Sequence, residues 1–121
     1  MGNLNSVLIE GNLTRDAELR GAPDKLTICV FTLGTMRIFR QGSTAEIKKE
    51  VSFFSVEARG KLAEECYARG KKGQGVRVVG RLKQGRLAGD DCARRQEVFI
   101  AAEHIEFRPG KSGAENESNG N

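Results

Sequence analysis

Residues 51–87 run VSFFSVEARGKLAEECYARGKKGQGVRVVGRLKQGRL, and the hydrophobic period changes twice within them. Successive side chains of a strand point to opposite sides. Val51, Phe53, Ser55, Glu57 and Arg59 therefore share one face, and Ser52, Phe54, Val56 and Ala58 the other. Ser55, Glu57 and Arg59 call for water, so Phe54, Val56 and Ala58 are expected in the core. Phe53 is left as an aromatic on a polar face. Gly60 breaks the period, and Lys61 to Arg69 follows as a short helix with Leu62, Ala63, Cys66 and Tyr67 inward. Gly70 suits its C-terminal stop, with Arg69, Lys71 and Lys72 near the negative end of its dipole. Alternation then returns, with Val76, Val78, Gly80 and Leu82 inward and Arg77, Val79, Arg81 and Lys83 outward. The unit is strand, short helix, strand, with a basic outer face.

Outward from this unit the chain is all strand and turn. Residues 6–12, SVLIEGN, form a first strand ended by Gly11-Asn12, and the polar LTRDAELRGAPDK after it carries turn signals at Gly21 and Pro23-Asp24. Residues 26–35, LTICVFTLGT, are apolar on both faces, which places this second strand in the middle of a barrel or under a partner subunit. Residues 36–49 are expected to finish that strand and run into a mobile loop around Gln41-Gly42-Ser43. A second loop is expected over 84–95. A last strand over 97–107 would set Val98, Ile100, Ala102 and His104 on one face and Phe99, Ala101, Glu103 and Ile105 on the other. Pro109 ends the folded domain, assigned to residues 1–109. The tail 110–121 has no apolar residue larger than alanine and is expected to be disordered.

The chain has 121 residues, enough for one domain with a modest core. Five strands with one short helix between the third and fourth make it all-β, and match the five-stranded OB-fold Greek-key barrel, an architecture often used for oligonucleotides. No apolar run approaches the ~18 residues a membrane span needs. The N-terminus lacks the basic and long apolar regions of a secretory signal, so no membrane is involved and a cytoplasmic location is expected. Net charge is +4, but residues 48–95 alone carry thirteen Lys/Arg against six Asp/Glu. An excess concentrated there suits a polyanion partner. Cys29, Cys66 and Cys92 have no paired spacing, which fits a reducing compartment. They and His104 lie too far apart in sequence for a structural zinc site, and no nucleotide-cradling glycine loop opens a helix. Neither enzyme nor cofactor is expected, and His104 is taken as a core or interface residue.

Three stretches carry a family resemblance. SVLIEGNLTRDAELR is similar to the first strand and turn of bacterial single-stranded DNA-binding proteins. FSVEARGKLAEECYARGKKG resembles their third strand and helix, with Gly60-Lys61-Leu62-Ala63-Glu64 the nearest match, and VRVVGRLKQGRL resembles their fourth strand. With the final AAEHIEF the likeness covers about residues 4–107. It implies an OB-fold subunit, usually a homotetramer, that coats single-stranded DNA in replication, recombination and repair and is associated with the nucleoid. Such proteins stack bases on exposed aromatics while a cationic groove follows the phosphates.

The family's binding face is usually rich in tryptophan, and this chain has none. In register, the family's aromatic positions fall on Phe39, Phe53, Arg59 and Leu87. Phe39 and Phe53 keep an aromatic platform; an arginine at 59 stacks or pairs with phosphate, and Leu87 offers apolar contact. Arg37, Arg77, Arg81, Lys83 and Arg86 are the basic candidates, while Glu57 on the face of Phe53 works against a polyanion. Relatives commonly end in an acidic segment with an apolar tip that recruits replication and repair proteins. This chain ends ENESNGN, so either that recruitment is absent or the sequence stops short of the segment that performs it. The rival readings are a related primosomal OB protein, typically a dimer, and an OB-fold RNA-binding module.

Overall fold

The computed structural model describes residues 2–21, 27–43, 45–85 and 97–109. A strand apolar on both faces needs neighbours along both edges and cover on both sides, and β3 (Ile28–Arg40) has them. β4 (Ile47–Arg59) runs antiparallel along one edge, from Arg59 opposite Ile28 to Ile47 opposite Arg40. The other edge takes two shorter partners: the end of β1 (Val7–Leu13), with Leu13 opposite Leu33, and then β2 (Glu18–Arg20), with Glu18 opposite Val30. Ile28, Cys29, Val30, Phe31 and Leu33 are consequently all buried within the single subunit.

The remaining strands close the wall. β5 (Gly75–Gly85) pairs antiparallel with β1 and with β6 (Glu97–Phe107), and β6 meets β4 in a short parallel contact at Val56–Ile100 and Glu57–Ala101. The circuit β1-β5-β6-β4-β3 returns to β1. This is the expected five-stranded OB barrel, with β2 as a sixth, short strand in the segment expected to be only turn. Closure depends on a close backbone approach: a Cβ on Gly11 would run into the carbonyl oxygen of Gly34 where β1 crosses from β5 to β3.

Helix α1 (Lys61–Arg69) plugs one end of the barrel with Ala63 and Cys66. Gly60 starts it at φ 65°, a left-handed conformation that favours glycine. The Gly60 N–H donates to the Thr27 carbonyl at 2.9 Å, and the Gly60 carbonyl accepts from Ala63 and Glu64. The far end is tied down where Gly70 N–H donates to Cys66 O at 2.7 Å and Ala17 N–H donates to Gly70 O at 2.8 Å. Cys29 and Cys66 meet in the core as free thiols. The Cys66 thiol is pushed far up, because it donates a hydrogen bond to the Cys29 sulfur and is buried.

Several side chains depart from the expected alternation, each for a definable reason. Val56 and Ala58 are fully buried, but Phe54 on their face is 40% exposed. Among the described residues β6 joins β4 only at Val56 and Glu57, so from Ser55 back towards Ile47 β3 is the one strand that flanks β4, and Phe54 lies beyond the paired wall. Glu57, expected in water, is instead 4% exposed, enclosed between β3 and β6 and under its neighbours on the outer face. His104 is exposed rather than core. Glu103 is an extra residue in β6, since Val79 faces His104 while Gly80 faces Ala102. A bulge of this kind reverses the phase of the strand, so Ile105 takes the core position. Leu82, expected inward, is exposed because β1 stops at Val7 opposite Gly80, and beyond it the Asn5 side chain pairs with the Leu82 backbone without covering the Leu82 side chain. Tyr67 is exposed because α1 meets the barrel through Ala63 and Cys66, with Leu62 beside them, and Tyr67 lies off that stripe. β3 finishes at Arg40, just before the expected loop at Gln41-Gly42-Ser43, whereas β4 begins at Ile47 rather than Val51 and β5 runs to Gly85, into the loop expected over 84–95. The rest of the loop expected over 84–95, with Cys92, and the expected tail 110–121 lie outside the described residues.

Leu33→Ala should lower unfolding free energy by about 2–5 kcal/mol, the usual cost of truncating a buried leucine. Phe54→Ala should cost clearly less in the isolated subunit; paired urea melts measure both. Cys29 and Cys66 should resist alkylation at pH 8 in the folded chain and react on denaturation, as followed by mass spectrometry.

Candidate nucleic-acid interface

The odd-numbered residues of β4 build the outer face of the sheet. Phe53 lies opposite Gly34, Ser55 opposite Thr32, Glu57 opposite Val30 and Arg59 opposite Ile28. Glycine at 34 lets the Phe53 ring settle across the neighbouring strand: a methyl group placed on Gly34 would sit 3.4 Å from Phe53 Cε1. This is the packing by which an aromatic covers a glycine in a sheet. The ring is still 62% exposed. It is a hydrophobic plate held against the backbone with its outer side open.

The same face continues across two more strands. Ala101 of β6 is opposite Glu57, Arg81 of β5 is opposite Ala101, and Lys83 is opposite Phe99. Between them lies a groove of about 420 Å³ lined by Glu57, Arg59, Leu62, Arg81, Lys83, Ala101, Ala102 and Glu103. Three cations and two carboxylates surround a small apolar floor. Arg59 Nε donates to Glu57 Oε1 at 3.2 Å, and Arg81 Nε lies 3.6 Å from Glu103 Oε2. Lys83, half-buried, makes no ion pair among the described residues.

The other sequence candidates lie elsewhere or outside view. β3 and β4 stay in register without a bulge, so Arg37 and Phe39 share a face with Phe54, across the hairpin from Phe53. The Arg37 guanidinium stacks 4.6 Å above the Phe39 ring and lies 3.5 Å from Glu50. Arg77 sits four residues before Arg81, roughly 13 Å along the strand. Its guanidinium donates to Glu10 at 2.9 Å and to Glu106 at 3.4 Å, and Arg108 also donates to Glu10 at 2.8 Å. Arg86 and Leu87 lie outside the described residues.

Sequence reasoning passed over part of this face. Met36 opposite Val51, Ile38 opposite Lys49 and Ile47 opposite Arg40 continue it from Phe53 to the hairpin tip as exposed aliphatics flanked by cations. The alternation of Met36, Ile38 and Arg40 was the available signal, obscured by the turn residues that follow. Glu103 was missed because only the bulge brings it to the groove. No three His, Cys, Asp or Glu side chains among the described residues gather as a metal site would require.

A model of the single-strand binding protein family matches residues 4–108. The single-stranded DNA-binding protein of Aquifex aeolicus is 35% identical over 112 residues, spanning 93% of this chain and 75% of the relative. That of Helicobacter hepaticus is 36% identical over 118 residues, spanning 95% and 68%. Among solved structures, a deletion mutant of the single-stranded DNA binding protein from Thermus aquaticus superposes with a TM-score of 0.75 at 29% identity. The match covers 89% of this chain but 52% of that one, so this chain spans about half the length of the Thermus protein. The Plasmodium falciparum protein solved in complex with single-stranded DNA gives a TM-score of 0.74 over 89% of this chain and 97% of that one. Its 18% identity makes this a likeness of fold.

Proposed function

This chain belongs to the single-strand binding protein family, and from that premise we propose that it binds single-stranded DNA without strict sequence preference, protecting unpaired strands in replication, recombination and repair. The observation that carries this is Phe53, an open aromatic plate on the face that holds a groove with Arg59, Arg81 and Lys83. A base stacked on an aromatic contributes about 1–3 kcal/mol whatever its identity, and the neighbouring guanidinium and ammonium groups offer positive charge to the phosphates of the strand. Phe53, Arg59, Arg81 and Lys83 form the centre of the site. A strand that continues round the hairpin would reach Arg37 and Phe39, and one that continues along β5 would reach Arg77. Arg86 and Leu87 are assigned to the site on the family resemblance. The binding unit is assigned to residues 1–109.

A homo-oligomer, a tetramer by family resemblance, is part of the same reading. Leu8 at 70% exposure, Phe54 and Val98 leave apolar surface that the single subunit does not cover. No helix among the described residues is long and apolar enough to cross a membrane, and the proposed setting is the cytoplasm, on the nucleoid.

Phe53→Ala should weaken oligo-dT binding by about 1–3 kcal/mol while leaving the melting temperature nearly unchanged, as read by fluorescence polarisation and thermal melts. Oligo-dT should compete better than an RNA of equal length; a preference for RNA would favour an RNA-binding module instead. Affinity should fall as salt rises, and Lys83→Ala should flatten the log–log slope by about 0.7, because one phosphate fewer is neutralised. Light scattering should give four times the subunit mass; twice that mass would favour the primosomal dimer reading, and a stable monomer at micromolar concentration would remove the oligomer.

A further inference from the structure

A carboxylate repels phosphate, yet Glu57 stands in the middle of the proposed DNA face, between Val30 of β3 and Ala101 of β6. A charged carboxylate withdrawn from water must be hydrogen-bonded in return. Arg59 supplies one such bond from two residues along the same face, its Nε donating to Glu57 Oε1 at 3.2 Å. The two partners are unequally placed: the Glu57 side chain is 3% exposed and the Arg59 side chain 48%. The acid is fixed in the sheet, and the guanidinium projects from it into the groove.

The other ion pair in this groove is different in kind. Arg81 and Glu103 are both about half exposed and 3.6 Å apart, and exposed pairs contribute little and open readily. Phosphate can therefore draw Arg81 away from Glu103, whereas Glu57 has nowhere to go. A guanidinium carries five N–H donors in a rigid plane, and the bond to Glu57 engages Nε. The remaining edge and the planar face are what Arg59 offers to a ligand.

We propose that Glu57 is a positioning residue: it anchors the Arg59 guanidinium over the groove in a fixed orientation, with its free edge and plane turned to the bound strand. This rests on the single-stranded DNA reading above. An unrestrained arginine loses considerable rotamer freedom when it is clamped onto a base or phosphate. An arginine already held gives up less at that moment, which is the advantage of preorganisation. On this account the acid at 57 favours binding despite its sign.

The test is oligo-dT affinity against salt for the full chain, with a melt of each variant. Glu57→Gln keeps an acceptor oxygen in place and removes the charge, and should bind at least as tightly as wild type, with a steeper salt dependence. Glu57→Ala removes charge and anchor together, and should lose about fivefold or more, the lower end of one stacked base. Arg59→Lys keeps the charge but lacks Nε and the plane, and should lose as much as Arg59→Ala. Tighter binding by Glu57→Ala than by wild type would show that Glu57 merely repels DNA and would overturn the proposal. Wild-type affinity in Arg59→Lys would also overturn it, whether or not Glu57→Ala folds. A wild-type chain that does not bind oligo-dT would instead overturn the reading on which the proposal rests.

Discussion

β3 and β4 remain paired from Ile28 opposite Arg59 to Arg40 opposite Ile47 without a single slip in register. Because side chains alternate along a strand, an unbroken ladder assigns every residue of both strands to one side or the other. Leu33, Val56 and Ala58 go to the core, while Phe53 lands on Gly34. Glu57 and Arg59 fall on the face of Phe53, two residues apart. The groove is completed by β6 and β5, whose register against β4 is set by one short parallel contact at Val56 and Glu57. A one-residue slip between β3 and β4 would put Phe53 in the core and expose Val56.

Electrostatics alone would give too simple a picture of this surface. Residues 48–95 hold seven more cations than anions, but the described arginines of the candidate site are each matched to a carboxylate: Arg37 to Glu50, Arg59 to Glu57, Arg77 to Glu10 and Glu106, and Arg81 to Glu103. Most of these pairs are exposed and worth at most about 1 kcal/mol, so they trim the local field without locking the side chains. One stacked base is worth about 1–3 kcal/mol. The balance puts more weight on Phe53 and on an oriented Arg59 than on net charge, which suits a face with no tryptophan.

Much of this was legible in the sequence. The period switch at Gly60 located the helix at Lys61–Arg69, and the two-sided apolarity of β3 marked a strand covered on both faces. The parity of Phe53 followed from its polar companions. What could not be read depends on neighbours distant in sequence. The barrel wall stops at Val56, which leaves Phe54 half in solvent despite its core-facing parity. The extra residue Glu103 puts Ile105 rather than His104 inward, and no local pattern announces a bulge. Glu57 looked like a wet acid, because nothing in VSFFSVEAR says that β6 will enclose it. Phe39 and Phe53 were grouped by family register, yet the ladder sets them on opposite faces of the hairpin.

The central claim is that the bases stack at Phe53 rather than at Phe54. The chain has no native tryptophan, so a single introduced indole reports its own surroundings without interference. Phe53→Trp and Phe54→Trp, each titrated with oligo-dT, give the most direct comparison. Strong stoichiometric quenching at position 53 with little change at position 54 is the predicted result. Quenching at 54 with an unresponsive indole at 53 would place the DNA on the other side of the hairpin and contradict the account.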